Sequence, residues 1–282
     1  SHLTGDHRAA VAGRIRLLPI KITDEERVLN SAAVGRAMTF LRYQMFRKSH
    51  RSEPVHVINL SFAVAHSGSE PYNELMEKMR DTLFVGAAGN VHRDFFSGKR
   101  VNLDDLDGTL FPAMLPIRHS NAMTVAALSE NGTIADFSYF GLETVDLAAP
   151  GENILSTVKD FDNPDNPTAT GFASGTSQAA PFVSMTAGLL FLMGFTDAEL
   201  VRRRIISSTD FRPQLNNFVW SSGSLNVAKA LDVYDDIIDL VAIDGVRRDP
   251  VKGLLSRPLN IRVTLPPEGS SPGRELTFPI EQ

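Results

Sequence analysis

Gly171–Val183 reads GFASGTSQAAPFV: Ser177 follows Gly-Thr, small residues flank it, and Pro181 stands near the start of a very apolar run. A hydroxyl at a helix N-terminus lies where the amides and the helix dipole favour negative charge, which suits a nucleophile. Glycine and alanine beside it let a substrate backbone come close. A Ser/Thr N-cap ahead of a core helix has the same pattern, so this motif alone leaves both readings open. Two other motifs fail. A phosphate-binding loop needs Gly-Lys-Ser/Thr, and Thr176 stands where the lysine should be. A nucleophile elbow needs Gly-x-Ser-x-Gly, and Gly171–Gly175 has Ala173 at its centre.

Two further residues could join Ser177. Leu83–Asn90 (LFVGAAGN) is a buried strand ending in Gly-Asn. An asparagine there can aim its amide at a developing oxyanion, although taken alone an Asx-turn closing the strand is the commoner reason for it. His7 opens the segment HRAAVAG, the entry to a small, tightly packed helix. A histidine can take and return a proton near neutral pH, but each of the chain's 7 histidines is by default a surface or satisfied residue.

These residues need a scaffold. Val55–Phe62 (VHVINLSF) and Leu83–Ala88 are nearly continuous apolar runs, the pattern of strands covered on both faces of a parallel sheet. Met123–Ala127 and Val145–Leu147 read as further strands. Ala9–Ile15, Ala32–Phe46 (with Asn30 or Ser31 as N-cap) and Pro71–Thr82 read as helices. Strands alternating with helices predict an α/β fold with right-handed crossovers. The polar segment between Asn90 and Phe111 reads as a surface insertion, and Phe161–Pro167 as a turn-rich loop. Thr196–Glu199 is a capping box opening a helix whose Arg202, Arg203 and Arg204 read as a solvated face. After Leu231 the texture changes. Asn260–Leu265 alternates, a Pro/Gly/Ser-rich turn follows, and Leu276–Ile280 completes a β-hairpin.

Composition narrows the classes. The 282 residues, 43% hydrophobic and 22% charged, suffice for a large core. A formal net charge of −5 supplies no cationic field for nucleic acid. With Cys 0 there is no disulfide, thiolate zinc site or cysteine nucleophile. The first residues contain no apolar signal-peptide core. The apolar run Ala179–Phe195 falls short of the about 20 residues a spanning helix needs, and Pro181, Ser184 and Thr186 fit a buried core helix.

Together these segments resemble the subtilisin-like serine proteases over about residues 1–231. The family's His-Gly-Thr-His-Val-Ala-Gly is matched by His7, Val11, Ala12 and Gly13, while Arg8, Ala9 and Ala10 depart. Gly-Thr-Ser-Met-Ala-x-Pro is matched by Gly175, Thr176, Ser177, Ala179 and Pro181, with Gln178 for methionine. Ala87, Ala88, Gly89 and Asn90 match Ala-Ala-Gly-Asn. Val57, Ile58, Asn59 and Ser61 match the substrate-binding strand, with Ala63 where the family has glycine. Phe137–Gly151 looks like the strand before an Ala-Pro-Gly turn, and Gly223–Ala230 like the family's closing segment.

The resemblance implies a three-layer α/β sandwich with a mostly parallel central sheet, plus a short C-terminal β-hairpin extension. The peptidase domain would span 1–231 and the extension 232–282. It implies a serine endopeptidase in which Ser177 attacks the scissile carbonyl and His7 moves the proton. Asn90 and the Ser177 amide would hold the oxyanion. An extended peptide would lie along Ser61, Phe62, Ala63 and Gly89. The family's aspartate lies on a strand well before the histidine, and here only six residues precede His7. An N-terminal fragment carrying that aspartate is the expected partner besides a protein or peptide substrate. An inactive pseudoprotease that binds peptides, or an assembly component docking through its tail, are the other classes. No cofactor is required. Structural calcium is open, with Asp104, Asp105 and Asp107, or Asp162, Asn163 and Asp165, as oxygen donors. The family suggests a secreted or periplasmic location.

Overall fold

Apolar runs without alternation become strands buried on both faces, and here Leu83–Ala87 and Ala122–Leu128 do so at the centre of one sheet. Val57–Leu60, expected to be covered on both faces, instead ends the strand order among the described residues and alternates in burial, with Asn59 exposed. The computed structural model describes residues 14–23, 29, 31–46, 54–65, 75–91, 100–106, 110–115, 119–158 and 169–232, and the backbone of three later strands. In chain order the strands are β1 (Val57–Leu60), β2 (Val64–Ala65), β3 (Leu83–Ala87), β4 (Leu110–Phe111), β5 (Ala122–Leu128), β6 (Leu147–Pro150), β7 (Ile154–Thr157), β8 (Thr170–Ala173), β9 (Asp210–Phe211) and β10 (Gly223–Ser224). The helices are α1 (Ser31–Phe46), α2 (Thr176–Leu192), α3 (Ala198–Ser207) and the short α4 (Val227–Leu231). The main sheet has the order β1-β3-β5-β6-β10-β9, parallel except for β9 at its edge. Every residue of β3 and β5 is buried.

Register assigns the two faces. Ile58 lies opposite Phe84, and Phe84 opposite Ala122, so these three share a face. They pack in one core cluster with Val34, Met38 and Leu41 of α1. Those α1 residues recur at helical spacing, which gives the helix its single apolar stripe. Asn59, Val85 and Met123 form the next rung and face the other way. The Ser184 hydroxyl of α2 donates to Asn59 Oδ1, placing α2 on that second face. Helix, sheet and helix therefore make three layers, as the fold class expected. Ala179, Ala180, Val183, Ala187 and Leu190 of α2 are buried, so the apolar run from Ala179 is a core helix. Among the described residues no helix is long and apolar enough to cross a membrane.

Several expectations shift. The strand expected at Val145–Leu147 starts at Leu147, because Asp146 spends its side chain on the neighbouring strand: Thr124 N donates to Asp146 Oδ2 at 2.7 Å. The cap of α3 is Asp197, which accepts from Leu200 N, and not Thr196. The arginines that follow are mostly not a solvated face. Arg202 pairs with buried Asp146, Arg204 donates to the carbonyls of Lys229 and Ala230, and only Arg203 makes a surface pair, with Glu199. The segment between Asn90 and Phe111 is anchored where it is described. Leu103 is buried, and Asp104 accepts from Glu143 N, Thr144 N and Thr144 Oγ1. Of the helix expected over Ala9–Ile15, only Arg14 and Ile15 are described, in a turn and a bend. Of Pro71–Thr82, the stretch Leu75–Lys78 is helical, and the loop Phe161–Pro167 lies outside the described residues.

The chain divides into two units, Ser1–Leu231 and Asp232–Gln282. The second is an antiparallel sheet in the order β11-β12-β13, formed by Asp239–Ile243, Leu259–Leu265 and Arg274–Ile280. Its last two strands are the expected hairpin. Its first strand was not read from the sequence.

Candidate active site

Strand β3 runs buried to Ala87 and delivers the turn Ala88-Gly89-Asn90 at its C-terminal end. Gly89 has φ +109°, and a Cβ there would lie 2.7 Å from Tyr139 Cδ2, so both backbone and space require glycine. The turn is tied down twice: Tyr139 N donates to Gly89 O at 2.9 Å, and Gly89 N donates to Thr176 Oγ1 at 3.1 Å.

Asn90 is aimed by the same threonine. Its Oδ1 accepts from Thr176 N at 2.9 Å and from Thr176 Oγ1 at 3.1 Å. With the oxygen engaged, the NH₂ group turns toward Gly175. A Cβ built on Gly175 would lie 3.4 Å from Asn90 Nδ2 and 3.7 Å from Ser177 N. Two donors thus border one small space that a side chain at 175 would fill. Ser177 is the second residue of α2, after the N-cap Gly175, so its amide belongs to the first turn, which has no intrahelical acceptor. Gly175 itself is seated by its amide, which donates to Gly151 O at 2.7 Å. A Cβ at Gly151 would meet Ala127 Cβ at 2.5 Å, which explains the glycine in the Ala-Pro-Gly turn.

Ser177 meets Ser61, the residue after β1, in a reciprocal pair. Ser177 Oγ donates to Ser61 O at 3.0 Å and Ser61 Oγ donates to Ser177 O at 3.0 Å. Phe62 and Ala63 follow as partly buried residues. Phe62 leans on Phe111 at 6.0 Å between centroids, and Ala63 packs on a second apolar cluster. The structure therefore brings Ser177, Asn90, Gly89 and Ser61 together, with Phe62 and Ala63 in the adjoining segment. His7 lies outside the described residues.

Sequence reading missed Thr176 as the residue that aims Asn90. Its signal was present, since it sits inside the Gly-Thr-Ser motif. Tyr139 had no signal, because it reaches Gly89 only through the fold. Among the described residues no three acidic or imidazole side chains group as a metal site. The Asp104 carboxylate accepts three hydrogen bonds from Glu143 and Thr144. Asp107, Asp162, Asn163 and Asp165 lie outside the described residues.

Comparison with known proteins places this geometry in context. The subtilase family's sequence model matches residues 4–220. Thermitase of Thermoactinomyces vulgaris is 28% identical over 225 residues, covering 79% of this chain and 67% of that protein. Alkaline protease 1 of Emericella nidulans is 36% identical over 151 residues, 52% of this chain and 32% of the relative. The chain thus spans about two thirds of the one relative and a third of the other. Among solved structures, the A-subunit of the AB5 toxin from E. coli aligns with TM-score 0.59 at 24% identity, covering 75% of this chain and 68% of that one. The prenylagaramide maturation protease PagA aligns with TM-score 0.52 at 23% identity, over 74% and 69%. At that identity the structural likeness speaks for the fold.

Proposed function

The chain belongs to the subtilase family, and from that premise we propose that it is a serine endopeptidase acting through Ser177, His7 and Asn90. The observation that carries this reading is the pair of N–H donors, Asn90 Nδ2 and Ser177 N, bordering one space beside the Ser177 side chain. In the proposed reaction Ser177 Oγ leaves the Ser61 carbonyl, gives its proton to His7 and attacks the scissile carbonyl carbon. Negative charge develops on the carbonyl oxygen between the two donors, where fixed dipoles act without reorganising. His7 returns the proton to the leaving amine, and water then repeats the sequence on the acyl-enzyme. Substrate extends along Ser61–Ala63. Its own N–H groups compete for the Ser61 carbonyl that now holds the serine hydroxyl.

The carboxylate that orients His7 is assigned to an aspartate on a strand beside β1. The outer edge of β1 supports this, because β1 ends the strand order of the main sheet among the described residues. Structural calcium enters no step.

The test is labelling of the purified chain by a fluorophosphonate, with hydrolysis of an unstructured protein measured in parallel. Labelling that vanishes in Ser177→Ala, together with hydrolysis, supports the endopeptidase. Peptide binding without labelling of Ser177 replaces it with an inactive binding module. Hydrolysis retained by Ser177→Ala removes the serine mechanism.

A further inference from the structure

A proline inside a helix removes the N–H that would bond the carbonyl four residues back. Pro181 lies inside α2, and the carbonyl it leaves without its helical donor is that of Ser177. Ser61 Oγ supplies the missing hydrogen bond at 3.0 Å. Ser61 is in turn held from behind: Asn59 Nδ2 donates to Ser61 Oγ at 2.8 Å, and Ser184 Oγ donates to Asn59 Oδ1 at 2.9 Å.

The spacing makes this a ladder with two rungs. Ser177 and Ser184 are seven residues apart, two turns down one face of α2, roughly 10 Å along its axis. Asn59 of β1 and Ser61, just past the end of that strand, are two residues apart, and their side chains meet on one side of the chain. One rung is Ser61 with Ser177, the other Asn59 with Ser184.

Proton direction runs one way through the ladder. The Ser177 carbonyl can only accept, so Ser61 must donate to it, and Asn59 must then turn Nδ2 to Ser61 and Oδ1 to the Ser184 hydroxyl. The amide N–H then occupies a lone pair of Ser61 Oγ, and the only proton Ser61 has left is sent to the Ser177 carbonyl. The Ser61 carbonyl completes the frame by accepting from Ser177 Oγ.

We propose that Asn59 and Ser184 are positioning residues that orient Ser61 and, through it, fix the carbonyl and the resting hydroxyl of Ser177. The proposal rests on the reading of Ser177 as the nucleophile.

The full chain tests it through the second-order rate of Ser177 labelling by a fluorophosphonate, with melting temperature measured on every variant. Ser184→Ala and the isosteric Asn59→Asp, which cannot donate to Ser61, should each slow labelling by about threefold to tenfold, the worth of one net hydrogen bond. Ser184→Thr, which keeps the hydroxyl, should restore the rate. Ser184→Ala should add nothing in an Asn59→Asp background. Wild-type rates in both single variants overturn the proposal, as does a loss that merely follows the melting temperature and is not rescued by threonine. If the wild-type chain is not labelled at all, the nucleophile reading is what fails. A double-mutant cycle on unfolding between Ser184→Ala and Ser61→Ala then decides the ladder: coupling supports it, and additivity overturns it.

Discussion

Thr176 uses one hydroxyl for two tasks: it accepts from Gly89 N and donates to Asn90 Oδ1. Thr176→Val keeps the shape and removes both bonds, leaving the buried Gly89 amide without its acceptor. The expected loss is about 1–3 kcal/mol in urea unfolding, with turnover falling as Asn90 loosens, while Thr176→Ser keeps both properties. Unchanged stability in Thr176→Val would mean that water replaces the hydroxyl. Asn90→Ala removes one of the two donors that border the space beside Ser177. Turnover should fall by about 10²–10³ with little change in substrate binding, a magnitude measured on subtilisin itself. Steady-state kinetics on a peptide substrate checks it, and an unchanged turnover would reduce Asn90 to a turn residue. Gln178, which replaces the family's methionine, lies so close to Gly175 that a Cβ there would stand 2.7 Å from its Oε1.

Elements are joined by charges that the sequence alone reads as solvated. Burial pushes the Asp146 carboxyl above its ordinary range, and Arg202 of α3 and the Thr124 amide of β5 offset only part of that. Asp146→Ala would strand the Arg202 cation, 21% exposed, between α3 and the sheet. The expected cost is about 3–5 kcal/mol in chemical denaturation. Replacing both residues by apolar ones of similar volume should cost much less, and equal costs would show that the pair itself stabilises. Asp210 of β9 behaves in the opposite sense. Its hydrogen bonds with Lys229 and Asn226 lower its pKa from 3.8, so the folded chain binds that proton less tightly than the unfolded one. Its contribution is therefore present above pH 3.8 and is lost as pH falls through the depressed value. Exposure to solvent keeps the effect small. The stability difference between wild type and Asp210→Asn should shrink toward zero on acidification, and a difference that grows in acid would contradict the sign.

At the scale of the molecule, β1 is both the wall of the site and, among the described residues, the terminal strand of the main sheet. An added segment that places an aspartate on a strand along that edge, in cis or as a bound fragment, should raise peptide hydrolysis by orders of magnitude. Subtilisin's loss on removing the corresponding group, about 3 × 10⁴ in turnover, sets the scale. Thermal stability should rise with activity, because a strand paired along β1 adds ladder hydrogen bonds there. Full activity without such a segment would require another carboxylate to orient His7. Local pattern by itself determined the existence of strands β1, β3 and β5, the core helix α2, and the meeting of Gly-Thr-Ser with Gly-Asn in one kind of chemistry. Each of these depends on neighbours along the chain, where periodicity and motif spacing operate. That β1 would stand at the end of the sheet among the described residues, with Asn59 exposed, was not legible there. Tertiary structure alone decided that Asp146 ends up buried against Arg202 and that Asp104 spends its carboxylate on Glu143 and Thr144. Only the fold put Tyr139 beneath Gly89 and set Ser184 opposite Asn59. Those partners are far apart in sequence, and their polar groups take meaning only when burial removes water and makes each remaining donor or acceptor costly to leave unpaired.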